Sequence, residues 1–248
     1  MPNKTKLIEI KNLSKSFGDK IVLSSINLDI YKGESLVIVG ASGSGKSVLI
    51  KNIAMLLTPD SGEIIIDGTN IVSASKKEKA SIVNKMGYLF QAGALFDSLT
   101  IWENIAFKLL QEKTNRSLAK EQAIMMLEEV DLNSDIADLQ PQELSGGMQK
   151  RVALARAIIS KPDIIFFDEP TTGLDPVTAE TIDDLIIKLS RKIGATTITV
   201  THDIASIKKT SDKIAMIHDT NIVWQGNYDN AQLSNNPIIQ KFFSARTY

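Results

Sequence analysis

A chain of 248 residues with 43% hydrophobic content is long enough for one large domain around a packed core. Its formal net charge of −1 excludes the bulk positive field of a nucleic-acid binder, and the absence of cysteine excludes disulfides, thiolate metal sites and cysteine nucleophiles. No apolar run exceeds five residues, against the ~20 that a spanning helix needs, and the polar start Pro2-Asn3-Lys4-Thr5-Lys6 does not read as a secretory signal. No nucleic-acid partner and no direct membrane span are expected, and any membrane role must come through a partner.

The first 35 residues alternate apolar and polar positions, as in Leu7-Ile8-Glu9-Ile10 and Ile26-Asn27-Leu28-Asp29-Ile30, with turn signals at Gly18-Asp19 and Lys32-Gly33. That predicts antiparallel β structure. Leu36-Val37-Ile38-Val39 is a wholly apolar run leading into a glycine-rich loop, followed by a predicted helix from Ser47 to Leu57 that stops before Thr58-Pro59. The basic run Lys76-Lys77-Glu78-Lys79 reads as a solvated loop or helix face. From about Phe90 to Ser160 the texture becomes helical, with Ala123, Met126, Leu127 and Val130 at helical spacing and a helix running through Val152 to Ile159. Buried-strand patterns return at Ile164-Ile165-Phe166-Phe167 and Thr196-Thr197-Ile198-Thr199-Val200, flanking an amphipathic helix that carries Ile182, Leu185, Ile186, Leu189 and Ile193. The fold class predicted is α/β: a mainly parallel sheet covered by helices, an N-terminal antiparallel β subdomain and a helical insertion.

Three motifs carry chemistry. Gly40-Ala41-Ser42-Gly43-Ser44-Gly45-Lys46-Ser47 is a complete G-x-x-x-x-G-K-S phosphate loop between a strand and a helix that Val48 continues. Its glycines allow backbone amides to converge on phosphate oxygens, Lys46 adds a point charge for the outer phosphates, and the Ser47 hydroxyl is suited to Mg²⁺. ATP and Mg²⁺ are therefore the expected cofactors. Asp168 ends an apolar strand, where a carboxylate can organise the metal's water shell, and Glu169 follows as the expected general base for the attacking water. Between these two lies Leu144-Ser145-Gly146-Gly147-Met148-Gln149, in which Ser145, Gly146 and Gly147 open a helix and offer a hydroxyl, bare amides and a positive dipole end to an anion.

These motifs, with Phe17, Gln91, Gly173-Leu174-Asp175-Pro176 and His202, occur in the order shown by ATP-binding cassette (ABC) ATPases, which the chain resembles over nearly its whole length. The resemblance implies a P-loop NTPase fold in one domain over 1–248. Residues 1–90 and 161–248 are expected to form the RecA-like catalytic core with its β subdomain, and 91–160 the helical signature subdomain. It implies that Phe17 stacks on adenine, although a lone Phe ending a strand also fits a core position. It implies that Gln91 touches Mg²⁺ and the attacking water, that Asp175 belongs to a loop communicating between two sites, and that His202 contacts the γ-phosphate. His202 follows the strand end at Val200-Thr201, where α/β folds place ligand chemistry, whereas His218 falls in a predicted hairpin turn. The signature is expected to serve the nucleotide of a second copy, giving a head-to-tail dimer around two ATP molecules.

The run Phe90-Gln91-Ala92-Gly93-Ala94-Leu95-Phe96-Asp97-Ser98-Leu99-Thr100, with Asp168-Glu169-Pro170-Thr171-Thr172-Gly173-Leu174-Asp175-Pro176, further resembles the ATPase subunits of Mla-type lipid transporters. That implies phospholipid movement between membranes, integral permease subunits, an MCE-domain lipid-binding partner and a peripheral place on the cytoplasmic side of the inner membrane. Ala94, Leu95 and Phe96 look suited to the permease contact. The sequence ends soon after Phe242-Phe243, whereas some members of that group continue into a longer tail that clasps the neighbouring subunit, a departure that leaves tail-mediated dimer locking an open expectation. Alternatives are a soluble ABC ATPase acting as an assembly scaffold of the iron-sulfur type, the ATPase of another ABC importer, and a chromosome- or ribosome-associated ABC protein. The lack of a long coiled coil, second cassette or basic surface counts against the last.

Overall fold

The structure, a computed structural model, describes residues 5–244, so the Pro2-Asn3-Lys4 start and the last four residues lie outside it. Two compact units are present: Met1–Met86 with Thr196–Tyr248, and Gly87–Ala195. Among the described residues no helix is long and apolar enough to cross a membrane.

In the first unit, β1 (Lys6–Phe17) and β2 (Lys20–Tyr31) form an antiparallel hairpin that places Phe17 opposite Lys20. Ile8, Ile10 and Leu13 of β1 and Leu23, Ile26, Leu28 and Ile30 of β2 are buried. Polar residues take most of the positions between them, the pattern of a sheet with one covered face. Two further strands, β4 (Ser61–Ile66) and β5 (Thr69–Asn70), complete the order β2-β1-β4-β5.

The parallel part of this unit centres on β3 (Ser35–Gly40), which pairs in parallel with β8 (Thr196–Val200) on one side and β9 (Lys213–His218) on the other. Antiparallel β10 (Asn221–Gly226) closes the edge beyond β9. The two-residue connection Asp219-Thr220 has both φ values positive, 44 and 68, the backbone that a tight hairpin turn demands. Val37, Val39, Ile214 and Met216 share a cluster with Ile207, Ile239 and Phe243, so α8 (Ile204–Thr210) and α10 (Pro237–Ser244) cover this sheet. The predicted helix after the glycine loop is shorter than its apolar spacing suggests. It runs as α1 (Lys46–Ile53), and the amides of Leu56 and Leu57 then both bond the Lys51 carbonyl while Met55 takes a φ of 58. The Lys76 run opens α2 (Lys76–Val83) behind a Ser75/Glu78 capping box, with Lys76, Lys77 and Glu78 exposed.

The second unit holds β6 (Met86–Leu89), its neighbour β7 (Ile164–Asp168) and a set of helices: α3 (Ile101–Ile105), α4 (Phe107–Gln111), α5 (Arg116–Glu129), α6 (Gly146–Ile158) and α7 (Pro176–Ile193). Trp102, Ala123, Leu127, Val152, Phe167, Ile182 and Leu189 belong to one buried cluster, and Leu109 and Leu110 of α4 pack against it half-buried, so these helices share a single core. Residues 90–100 form no helix or strand, and their backbone is held by side chains instead. Asn104, wholly buried, accepts from the Phe96 amide at 2.7 Å and donates to the carbonyls of Phe96, Leu99 and Thr100 at 3.0, 3.1 and 3.1 Å. Asn104→Ala takes the partner from a part-buried amide and three part-buried carbonyls, so the expected cost is about 2–3 kcal/mol. Thermal unfolding should show the midpoint falling by roughly 5–10 °C, and an unchanged midpoint would show that the segment holds its shape without Asn104.

Candidate functional site

In the first unit the glycine loop owes its path to two positions that reject a side chain. Gly40 has a φ of +151, and a Cβ there would stand 2.4 Å from the Ile217 carbonyl oxygen and 2.7 Å from Ser44 Oγ. Gly45, at φ +102, would push a Cβ to 2.9 Å from the Val22 carbonyl oxygen and from Leu23 Cδ2. Ala41, Ser42 and Gly43 are exposed, and Ser47 and Val48 are half-buried in the first turn of α1.

This loop has more donors than its own atoms satisfy. Gly45 caps α1 with no side-chain hydrogen bond to the first-turn amides, and Ser44 Oγ is buried with no hydrogen-bond partner among the described residues. Lys46, only 8% exposed, folds its ammonium back onto the carbonyls of Gly40 and Ala41 at 3.0 Å each. A polyphosphate fits this arrangement because it brings acceptor oxygens to a helix N-terminus, an orphaned hydroxyl and a cation together.

Phe17 ends β1 with 49% of its surface exposed, and the Lys15 ammonium lies 5.4 Å from its ring centre. The core position for this ring is excluded, which leaves a flat apolar face open to stacking. His202 sits between β8 and α8, half-buried, just before Asp203, whose carboxylate caps α8 by accepting from the Ser206 amide at 3.0 Å. His218 lies at the β9 hairpin, 3.4 Å from the Asp219 carboxylate.

In the second unit Asp168 is the last residue of β7 and is 6% exposed. Tyr88 of β6 donates its hydroxyl to Asp168 Oδ2 at 3.4 Å and stacks on Phe90 at 4.1 Å between ring centres. Burial, then the Asp168 charge, pushes the Tyr88 phenol far up, so it remains a donor. Glu169 carries a φ of 50, a left-handed backbone that costs a non-glycine residue energy and is concentrated at functional sites. Its carboxylate accepts from the Thr172 hydroxyl at 3.0 Å. Gln91, exposed just after β6, is gripped through its backbone: the ammonium of Lys150 donates to its carbonyl. Further along α6, Arg156 donates to the carbonyls of Gly93 and Ala94 at 2.7 and 2.8 Å. Burial lowers the pKa of Lys150, and the charges of Asp168 and Glu169 offset part of that shift.

Ser145 caps α6, its hydroxyl accepting from the Met148 amide at 3.3 Å, with exposed Gly146 and half-buried Gly147 in the first turn. Asp175 caps α7, accepting from the amides of Val177 and Thr178 at 3.1 and 3.0 Å and from the Thr178 hydroxyl at 2.5 Å. The Thr178 hydroxyl and then these amides hold its carboxyl below the usual range. Leu95 packs against the unit's core, whereas Phe96 is 42% exposed with its ring 4.6 Å from Phe107. Of the three residues expected at a partner contact, Ala94 and Phe96 are exposed, while Leu95 is half-buried against the core.

Among the described residues no cluster of His, Cys, Asp or Glu could hold a metal ion by itself. Ser47 in the first unit and Asp168 in the second are each a hard oxygen donor of the kind Mg²⁺ takes, an ion that uses few protein oxygens and fills its shell from phosphate and water. Tyr88, Lys150, Arg156 and Asn104 carry no motif signal. Lys150 did carry a periodic one, since it shares a helical face with buried Ala153, Leu154 and Ala157.

The ABC transporter family profile matches residues 23–172. The chain is 41% identical to the intermembrane phospholipid transport system ATP-binding protein MlaF of Haemophilus influenzae, over 89% of this chain and 83% of that one. It is 40% identical to the probable ribonucleotide transport ATP-binding protein mkl of Mycobacterium leprae, over 96% of this chain and 69% of that protein. A dimeric post-hydrolysis structure of the ATP-binding cassette MJ0796 bound to ADP and Pi superposes with a TM-score of 0.80 at 34% identity, covering 89% of this chain and 98% of that one. With the phosphate loop, the strand-end carboxylates and the signature helix in place, the chain belongs to the ATP-hydrolysing subunits of ABC transporters.

Proposed function

We propose that this ABC ATPase powers phospholipid movement between membranes. It would act as a homodimer docked on integral permease subunits at the cytoplasmic side of the inner membrane, alongside an MCE-type lipid-binding protein. The observation that carries the reading is the 41% identity to the Haemophilus influenzae phospholipid transport ATPase across 83% of that protein. Exposed Phe96 supports a partner contact at the segment that resembles Mla-type ATPases.

The residues divide the work as follows. The loop from Gly40 through Ala41, Ser42, Gly43, Ser44, Gly45, Lys46, Ser47 and Val48 binds the phosphates of ATP, with Lys46 exchanging its two carbonyl partners for phosphate oxygens. Phe17 presents its exposed ring to adenine. Ser47, Asp168 and Gln91 would hold Mg²⁺, which neutralises charge on the transferred phosphate. Glu169, steered by Thr172, accepts the proton of the attacking water, and His202 contacts the γ-phosphate. Ser145, Gly146 and Gly147 serve the nucleotide of the second copy, and Asp175 belongs to the loop that communicates between the two sites. Residues 91–160 act as the signature subdomain, with 1–90 and 161–248 as the catalytic core.

The two relatives' names differ in cargo, phospholipid and ribonucleotide, so partners decide the class. Purification of the full chain from membranes should bring down a multispanning permease and a single-span MCE protein; a permease with a soluble nucleotide-binding partner instead would overturn the lipid reading. Glu169→Gln should cut hydrolysis by ~10²-fold or more while ATP still binds and traps the dimer. Turnover above about a tenth of wild type would remove Glu169 as base. Phe17→Ala should weaken ATP binding by roughly 5- to 150-fold, the worth of a base stacked on an aromatic ring, with Phe17→Tyr tolerated. Unchanged affinity in a titration with a fluorescent ATP analogue would leave Phe17 without that role.

A further inference from the structure

We propose that Lys150 is a positioning residue for ATP hydrolysis, holding Gln91 in place through its backbone carbonyl. The inference rests on the reading of Gln91 as the residue that touches Mg²⁺ and the attacking water.

Lys150 is 7% exposed, an unusual place for an ammonium, since burial away from water disfavours the charged form. It lies on the face of α6 that also carries buried Ala153, Leu154 and Ala157, where an apolar side chain would serve packing alone. What the ammonium does there is specific: it donates to the carbonyl of Gln91, in a segment without helix or strand bonds of its own. Arg156, on the same helix, takes the carbonyls of Gly93 and Ala94. One helix thus fixes three backbone carbonyls within four residues, beginning at the one whose side chain has chemistry to perform. The charge of Lys150 is also answered locally, by Asp168 and Glu169. Because Ser145 caps α6, the Lys150 contact ties the signature helix to the Gln91 backbone.

If the hydrogen bond is what matters, a neutral donor of similar length should replace the lysine and an apolar isostere should not. The test is steady-state hydrolysis by the transporter complex purified with the full chain, comparing wild type, Lys150→Gln, Lys150→Met and Gln91→Ala. Lys150→Met should lower kcat by about 10-fold or more with KM for ATP within about twofold, the signature of a group that matters in the transition state and not in binding. Lys150→Gln should recover to within about threefold of wild type. Should the methionine variant not fold, Lys150→Ala with turnover restored by added ethylammonium tests the same contact, and no recovery overturns it. The proposal is overturned if Lys150→Met keeps more than about half the wild-type kcat while Gln91→Ala is inactive, or if the methionine and glutamine variants are equally impaired. Full activity in Gln91→Ala would instead reject the role of Gln91 itself, and the role of Lys150 with it.

Discussion

The phosphate loop depends on the closeness of Gly40 to the neighbouring strand. The end of β3 passes so near β9 that a methyl group at Gly40 would stand 2.4 Å from the Ile217 carbonyl oxygen. Only a residue without Cβ, at a φ of +151, lets the chain leave the sheet there and wrap Ser44, Lys46 and the start of α1 around one point. The resulting loop holds a buried hydroxyl without a partner among the described residues and first-turn amides without a side-chain cap, while its lysine bonds two of the loop's own carbonyls. A phosphate brings acceptors to the hydroxyl and the amides at once, which is how a backbone geometry becomes affinity for phosphate.

A different constraint governs the second unit. Its stretch from Gln91 to Thr100 has no ladder or helix to satisfy its carbonyls. Three side chains meet the need: Lys150 at Gln91, Arg156 at Gly93 and Ala94, and Asn104 at Phe96, Leu99 and Thr100. The segment is irregular and yet pinned along its length. Irregularity frees the Gln91 and Phe96 side chains to face solvent, and pinning keeps them in fixed places. Glu169 shows the same economy, held in a left-handed backbone with its carboxylate steered by Thr172.

Much of this was legible from residue order alone. The alternation in β1 and β2, the apolar run of β3 and the spacing of Ile182, Leu185, Ile186 and Leu189 on α7 each report a surface that must be buried, and periodicity is set by local geometry. The phosphate loop was legible because its pattern lies within eight consecutive residues, although the contacts that bar a side chain at Gly40 and Gly45, to Ile217 and to Val22 and Leu23, are tertiary. The short end of α1 was less so, because the turn at Met55 is made by amides returning to Lys51, which apolar spacing does not encode.

The sequence by itself therefore determined the family, the phosphate loop, the strand-end pair Asp168 and Glu169, and the signature at Ser145, Gly146 and Gly147, since each is a run of neighbouring residues with one shared chemical task. Only the tertiary structure decided that Phe17 is exposed and not core, that Leu95 packs inward while Phe96 stays exposed, and that Asp175 is tied up as a helix cap. It alone paired Tyr88 with Asp168 and Lys150 with Gln91, residues 80 and 59 positions apart. Such contacts join side chains whose meeting is set by how strands and helices pack, and no local spacing carries that information.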